Sequence, residues 1–308
     1  MTRFQQLQTQ ITQIGLEHHR ETIVQNSIRN ARYVRKTIRD IKPDPRPCLV
    51  ISAGPSLQRA GILGRLKFSG KRPLIVCADG AYIQCLKAGI IPDWVVTLDP
   101  SPRIVRWFGQ RFEDEYFQRQ DLDITIREEQ ENVALVDANK VPLVICTTSP
   151  QNVVERTKDF DRYWFAPLVD DPATKGSITA RICESTKAPG LNTGGTIGTL
   201  GVIFTKLSLA SQSIAVVGTD FGYYADTPLE KTQEWNMLKS EKDVHDFYPV
   251  VNGHWGAGYT SPTYEFYRRN LMDLLEANNV TITNCSGGGF LRGRNVICEE
   301  LEEWLDRI

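Results

Sequence analysis

CLVISAGPSL at residues 48–57 decides the fold. Cys48, Leu49, Val50 and Ile51 show no polar alternation, so both faces of an extended chain would be apolar, as in a parallel strand covered on both sides. The run stops at Ala53-Gly54-Pro55-Ser56-Leu57, where Gly54 lets a ligand approach the backbone, Pro55 suits the first position of a helix and Ser56 adds a hydroxyl. Unpaired N–H groups at such a helix start attract phosphate. The turn is neither a G-x-G-x-x-G fingerprint nor a Walker loop, and an ordinary tight turn fits these residues equally well.

The same rhythm recurs outward along the chain as LIVCAD (74–79), WVVTLD (94–99), PLVICTT (142–148), SIAVVGTD (213–220) and VTITNC (280–285), separated by helix-like stretches. This predicts an α/β fold with a Rossmann-like open, mostly parallel sheet over residues 48–308. Asn192 to Leu209 reads as a helix tucked against that sheet. Residues 221–260 carry aromatics, charges and glycines with no clear periodic element, and read as an inserted lid of a length uncommon unless functional.

Before the first strand, residues 1–41 space Ile11, Ile14, Ile23, Ile28, Val34 and Ile38 at near-helical intervals, and Lys42-Pro43-Asp44-Pro45-Arg46-Pro47 stops the helix. The expected organisation is an N-terminal helical arm over 1–47, carrying nine Lys and Arg against four Asp and Glu. Such an arm serves either as a surface for a partner or for homo-oligomerisation, or simply as a solvated helix face.

Composition excludes several classes. Thirty-six Lys and Arg against 37 Asp and Glu leave a formal charge of −1, which provides no global field for nucleic acid or anionic lipid. No run of about 18 apolar residues is present and MTRFQQLQTQ lacks a signal-peptide core, so a cytoplasmic protein without a membrane span is expected. The seven cysteines are scattered, with no Cys-x-x-Cys pair, and suggest neither a zinc site nor a disulfide framework.

In an open parallel sheet, ligands collect beyond the carboxyl ends of the strands. Asp79 lies 25 residues after Gly54, near where nucleotide-binding sheets place an acid for ribose hydroxyls, and Asp99 closes the third strand just after Asp93. Each carboxylate alone also reads as a helix cap. Asn192-Thr193-Gly194-Gly195-Thr196 offers a second cluster of N–H groups and hydroxyls, unless its small residues serve helix-on-sheet packing. Asp220, followed by Phe221-Gly222-Tyr223-Tyr224, places an acid and two phenols at a later strand end. Two of the four histidines, His245 and His254, fall in the lid, and Gly253 and Gly256 beside His254 suit a mobile base.

Taken in order, Ile51 to Leu57, Ala88-Gly89-Ile90-Ile91-Pro92-Asp93 with Asp99, Gly194 to Leu200 and Val217 to Phe221 resemble the central domain of the Maf (motility accessory factor) glycosyltransferases over roughly residues 22–295. The same domain family includes MptE-like 6-hydroxymethylpterin pyrophosphokinases, and it is more distantly similar to small bacterial sialyltransferases. On the transferase branch the resemblance implies a CMP-activated nonulosonic (sialic-acid-like) sugar as donor and a glycan, small-molecule or protein hydroxyl as acceptor, with no metal or further cofactor. It further implies that Gly54, Pro55 and Ser56 meet the nucleotide phosphate, that Thr193, Gly194, Gly195, Thr196 and Asp220 hold the donor, and that Tyr223 and Tyr224 donate to the leaving phosphate. His254, or failing it His245, would take the acceptor proton. On the other branch Asp79, Asp93 and Asp99 would hold Mg²⁺ for diphosphate transfer from ATP to a pterin-like alcohol. A nucleotide-binding subunit without catalysis is the third reading.

Overall fold

A computed structural model describes residues 20–66, 72–112, 125–229, 232, 250–253 and 256–308. Its centre is a sheet in which Cys48–Ile51 (β2), Leu74–Ala78 (β3), Trp94–Thr97 (β4), Leu143–Cys146 (β5), Arg162–Pro167 (β6), Ile214–Val217 (β8), Ile282–Asn284 (β12) and Val296–Cys298 (β13) run parallel. Lys36–Thr37 (β1) joins one edge, giving the order β1-β6-β5-β4-β3-β2-β8-β12-β13, and Gly190–Leu191 (β7) pairs alongside β6. From β2 the chain steps outward through β3 to β6 and then returns to lay β8 on the other side of β2. The strand order therefore reverses between β2 and β8, where Cys48 to Ile51 pair in register with Ile214 to Val217.

Unbroken apolar strands are explained by the two cores they separate. Leu49, Ile51, Ile75 and Cys77 point into one cluster with Tyr82, Phe108 and Trp304, while Cys48, Val50, Leu74 and Val76 point into the other with Leu200, Phe204 and Leu271. Each fully buried side chain of this kind contributes about 1.5–3 kcal/mol. On the second face the helix Ile197–Leu207 lies so close to the sheet that a methyl at Gly201 would come within 2.7 Å of a Val50 methyl. It begins at Ile197 rather than at Asn192, because Thr196 caps it by accepting from the Thr199 amide.

The segment before β2 is woven into the body. Residues 20–30 are helical, Asn26 Nδ2 donates to the Thr148 carbonyl, and Asn30 Nδ2 donates to the carbonyls of Thr147 and Ser149. With β1 paired to β6, residues 20–41 dock onto the sheet instead of forming a detached arm, since the helix's amides satisfy carbonyls at the end of β5. Residues 1–19 lie outside the described part.

Within the region expected to be an irregular lid, Tyr223–Tyr224 (β9), Val250–Gly253 (β10) and Gly256–Tyr259 (β11) form a small antiparallel sheet in the order β10-β11-β9. These strands are only two to four residues long, and β10 and β11 contain glycine, so they carry no alternation for a sequence pattern to detect. A helix, Pro262–Ala277, follows directly, capped by Ser261.

Candidate active site at the switch point

At the carboxyl ends of β2 and β8 two turns lock together. The Ser52 amide donates to Val217 O and the Gly54 amide to Gly218 O, both at 2.8–2.9 Å. Gly218 takes a φ of +69°, and a methyl there would collide with the Ser52 carbonyl. Gly54 is equally confined, because a Cβ would strike the Gly218 carbonyl oxygen and come within 2.7 Å of Asp220 Oδ2. Pro55 then opens the short helix Pro55–Arg59 at its first position.

Asp220 occupies the junction. Its Oδ2 accepts from the Ser56 amide and its Oδ1 from the Ser56 hydroxyl, each at 2.6 Å, so the hydroxyl read as a ligand contact is engaged within the chain. Burial pushes the Asp220 carboxyl up to about 6, against the two Ser56 hydrogen bonds that favour its charged form. Beside it lies a small cleft lined by Asp220, Gly222, Tyr223, Tyr224, Gly256, Ala257, Gly289 and Phe290. Tyr223 is buried and its hydroxyl lies 3.4 Å from that of Tyr264, whereas the Tyr224 ring is half-buried beneath the Arg59 guanidinium, 4.0 Å above its centroid.

The start of the helix Ile197–Leu207 reaches the same edge. A Cβ on Gly198 would sit 3.1 Å from Ser52 Oγ and 3.5 Å from the Thr219 methyl, while Thr219 Oγ1 and Ser52 Oγ are themselves 3.1 Å apart. In the preceding turn Gly194 and Gly195 have φ of +59° and +86°, Asn270 Nδ2 donates to the Gly194 carbonyl, and the Tyr267 ring lies against Gly195. Thr193 Oγ1 accepts from the Gly195 amide, so this hydroxyl shapes the turn. Packing against Pro262–Ala277 thus accounts for the glycines here.

The neighbouring carboxylates divide. Asp79 begins the helix Asp79–Lys87 and is buried, accepting from the Gly80 amide and the Thr97 hydroxyl, both at 2.7 Å. Desolvation raises it to about 7, and the charge of Asp99 adds to the shift. Asp99 is exposed on the same edge and accepts from the Ser101 amide. Asp93 is elsewhere: it precedes β4, accepts from the Ile75 amide and pairs with Arg72 at 2.7 Å, which puts it at the amino ends of the strands. A four-residue strand spans roughly 13 Å, so Asp93 cannot join Asp79 and Asp99 around one cation, and the three-carboxylate expectation is corrected. Among the described residues no group of three or more His, Cys, Asp or Glu side chains is placed so that it could hold a metal ion. His245 and His254 fall outside the described residues.

A measurable consequence follows from Asp79. Its carboxyl titrates near 3.8 when unfolded and near 7 when folded, so the folded form binds the extra proton, and stability present below about pH 4 is lost as the pH rises to about 7. The difference corresponds to roughly 4 kcal/mol. Asp79→Asn, which keeps the shape and can still meet Gly80 and Thr97, should flatten the fall of Tm between pH 5 and 8 and raise Tm at pH 8. An unchanged slope in a thermal-denaturation series would show that Asp79 is not the titrating group.

Sequence reading missed one wall of the cleft. Ser286-Gly287-Gly288-Gly289 follows β12 directly, and its three consecutive glycines after a strand were a usable signal. Gly289 packs on the Asp220 backbone, and the Phe290 amide donates to the Asp220 carbonyl at 2.8 Å.

Comparisons with known proteins agree with this architecture. The chain superposes on the solved structure of the Maf glycosyltransferase from Magnetospirillum magneticum AMB-1 with a TM-score of 0.59 at 16% identity, over 90% of this chain and 37% of that one. It thus spans little more than a third of that neighbour's length, and the likeness is one of fold. No curated protein matches the chain. Residues 24–226, from the docked helix through β2 and β8 to Tyr223-Tyr224, match the family described as 6-hydroxymethylpterin diphosphokinase MptE-like, and the chain belongs to that family.

Proposed function

We propose that this protein is a transferase that moves an activated group from a nucleotide donor to a hydroxyl acceptor, and that the group is a nonulosonic sugar carried by CMP. The cleft at the β2/β8 switch point carries this reading, since Tyr223, Tyr224 and the backbone of Gly222 and Gly289 border it where open sheets gather nucleotides. In the reaction the acceptor oxygen bonds to the anomeric carbon, the bond from that carbon to the CMP phosphate oxygen breaks with its electron pair leaving on the phosphate, and the acceptor proton passes to a base. Fixed hydrogen-bond donors aimed at the leaving phosphate stabilise the charge that develops there. Tyr224 supplies one such donor at the cleft. The base is assigned to His254, with His245 second, on sequence grounds.

Family membership favours a second reading, diphosphate transfer from ATP with Mg²⁺ to a pterin-like alcohol. In that reading Asp99 is the exposed carboxylate on the correct edge, with the buried Asp79 beside it. Calorimetry with CMP and ATP, each with Mg²⁺ and with EDTA, separates the two. Glycosyl transfer predicts CMP binding that is indifferent to EDTA. ATP binding that requires Mg²⁺, with AMP formed on adding an alcohol acceptor, would replace it with diphosphate transfer. Binding of neither nucleotide at millimolar concentration would refute both.

A further inference from the structure

The loop Ser286-Gly287-Gly288-Gly289 runs up to the cleft, which Gly289 lines together with Phe290. Gly287 and Gly289 have φ of +63° and +82°, with Gly288 between them outside the left-handed region. Alternation of this kind turns successive backbone N–H groups toward one side, the arrangement of an anion-binding concavity. Among the described residues the amides of Gly287, Gly288 and Gly289 have no hydrogen-bond acceptor, although the amides on either side do: Ser286 donates to Asn284 Oδ1 and Phe290 to the Asp220 carbonyl. Both ends of the loop are pinned, and its middle is left with unused donors.

Other observations converge on the same point. The Ser286 hydroxyl is fully buried and has no hydrogen-bond partner among the described residues. The Tyr224 hydroxyl likewise makes no hydrogen bond among the described residues, and it lies directly over Gly288, where any Cβ would collide with it. Arg59 sits over the Tyr224 ring and pairs with Asp226, which holds the ring in place. Of the two carboxylates nearby, Asp220 turns both oxygens toward Ser56 and Asp226 is engaged by Arg59. Ser286 and Gly288 are buried, and buried donors without acceptors are costly, about 1–3 kcal/mol each, so that a bound water or anion is called for there.

We propose that the amides of Gly287 to Gly289 and the Tyr224 hydroxyl together form the phosphate-binding seat of the cleft, taking non-bridging oxygens of a nucleotide's phosphate. The proposal rests on the nucleotide-dependent transfer argued above, and names where the phosphate is held. Glycine is required at 288 because a side chain would fill the seat and displace the phenol.

Protein labelled with ¹⁵N-glycine, titrated separately with inorganic phosphate, pyrophosphate, CMP, ATP and the bare nucleosides cytidine and adenosine, tests it by NMR. Phosphate-bearing ligands should shift the amides of Gly287, Gly288 and Gly289 downfield, and the bare nucleosides should not. Shifts with the nucleotides but not with inorganic phosphate or pyrophosphate would still support the seat, and would identify the nucleotide as its natural occupant. Tyr224→Phe should weaken the binding of the effective ligand by about tenfold or more, while in the free protein the glycine resonances other than that of Gly288, which lies against the lost hydroxyl, stay in place. Binding of a nucleotide that leaves these three amides unmoved would overturn the seat and leave the transferase reading intact. If no phosphate compound perturbs any glycine, both fall.

Discussion

Asp220→Ala should cost the protein roughly 3 kcal/mol or more in stability and abolish nucleotide binding, whereas Asp220→Asn should fold as well as the wild type at pH 8. The difference comes from what the carboxylate does in the fold. It satisfies the amide and the hydroxyl of Ser56, both buried, and truncation would strand those donors beside a new void. Charge is not what the fold needs there, because burial raises the carboxyl to about 6 from an ordinary 3.8. The folded form therefore binds a proton more tightly than the unfolded one, and stability falls as pH climbs from about 4 to about 6. Asn removes that dependence and still accepts from Ser56. Thermal denaturation of the three proteins at pH 5 and pH 8 checks this. Equal Tm values for the alanine and asparagine variants at pH 8 would show that the Ser56 bonds contribute nothing.

Gly218→Ala should be the most damaging single methyl in the chain. Its φ of +69° costs a side chain about 1–2 kcal/mol, and the added Cβ would have to push back the Ser52 carbonyl, itself held by the β2/β8 ladder. Forced repacking of that kind adds about 1–3 kcal/mol. Together these predict a fall in Tm of roughly 10 °C. Because the displaced backbone leads directly into Gly54 and Asp220, nucleotide affinity should fall in parallel. Gly61→Ala is the control: that position has a φ of +60° but nothing within 4 Å of the new Cβ, so only the conformational strain remains. A Gly218→Ala protein no less stable than Gly61→Ala would remove the close approach from the argument.

The parallel sheet was legible because burial on both faces leaves a local mark: β2, β3, β4, β5, β8 and β12 each read as an apolar run. Other strands leave less of one. Arg162–Pro167 opens with an arginine and two aromatics, and Lys36–Thr37 is two polar residues at the sheet edge, so neither announces a strand until a neighbour offers it hydrogen bonds. The strand-end residues Gly54, Pro55, Ser56 and Asp220 were identifiable because a glycine, a proline or an acid after an apolar run is unusual on its own.

What those residues do to one another was not identifiable. Ser56 and Asp220 are 164 positions apart and meet only because β8 returns to pair with β2, which turns an expected ligand hydroxyl into the partner of a buried carboxylate. Asp93 and Asp99 look alike along the chain, yet a strand's length places them on opposite edges of the sheet. Sequence by itself thus determined the fold class and which residues stand at the strand ends, both consequences of local patterns of burial and backbone freedom. The tertiary structure alone decided which groups face a common cleft, because the order in which parallel strands assemble depends on contacts between residues far apart in the chain.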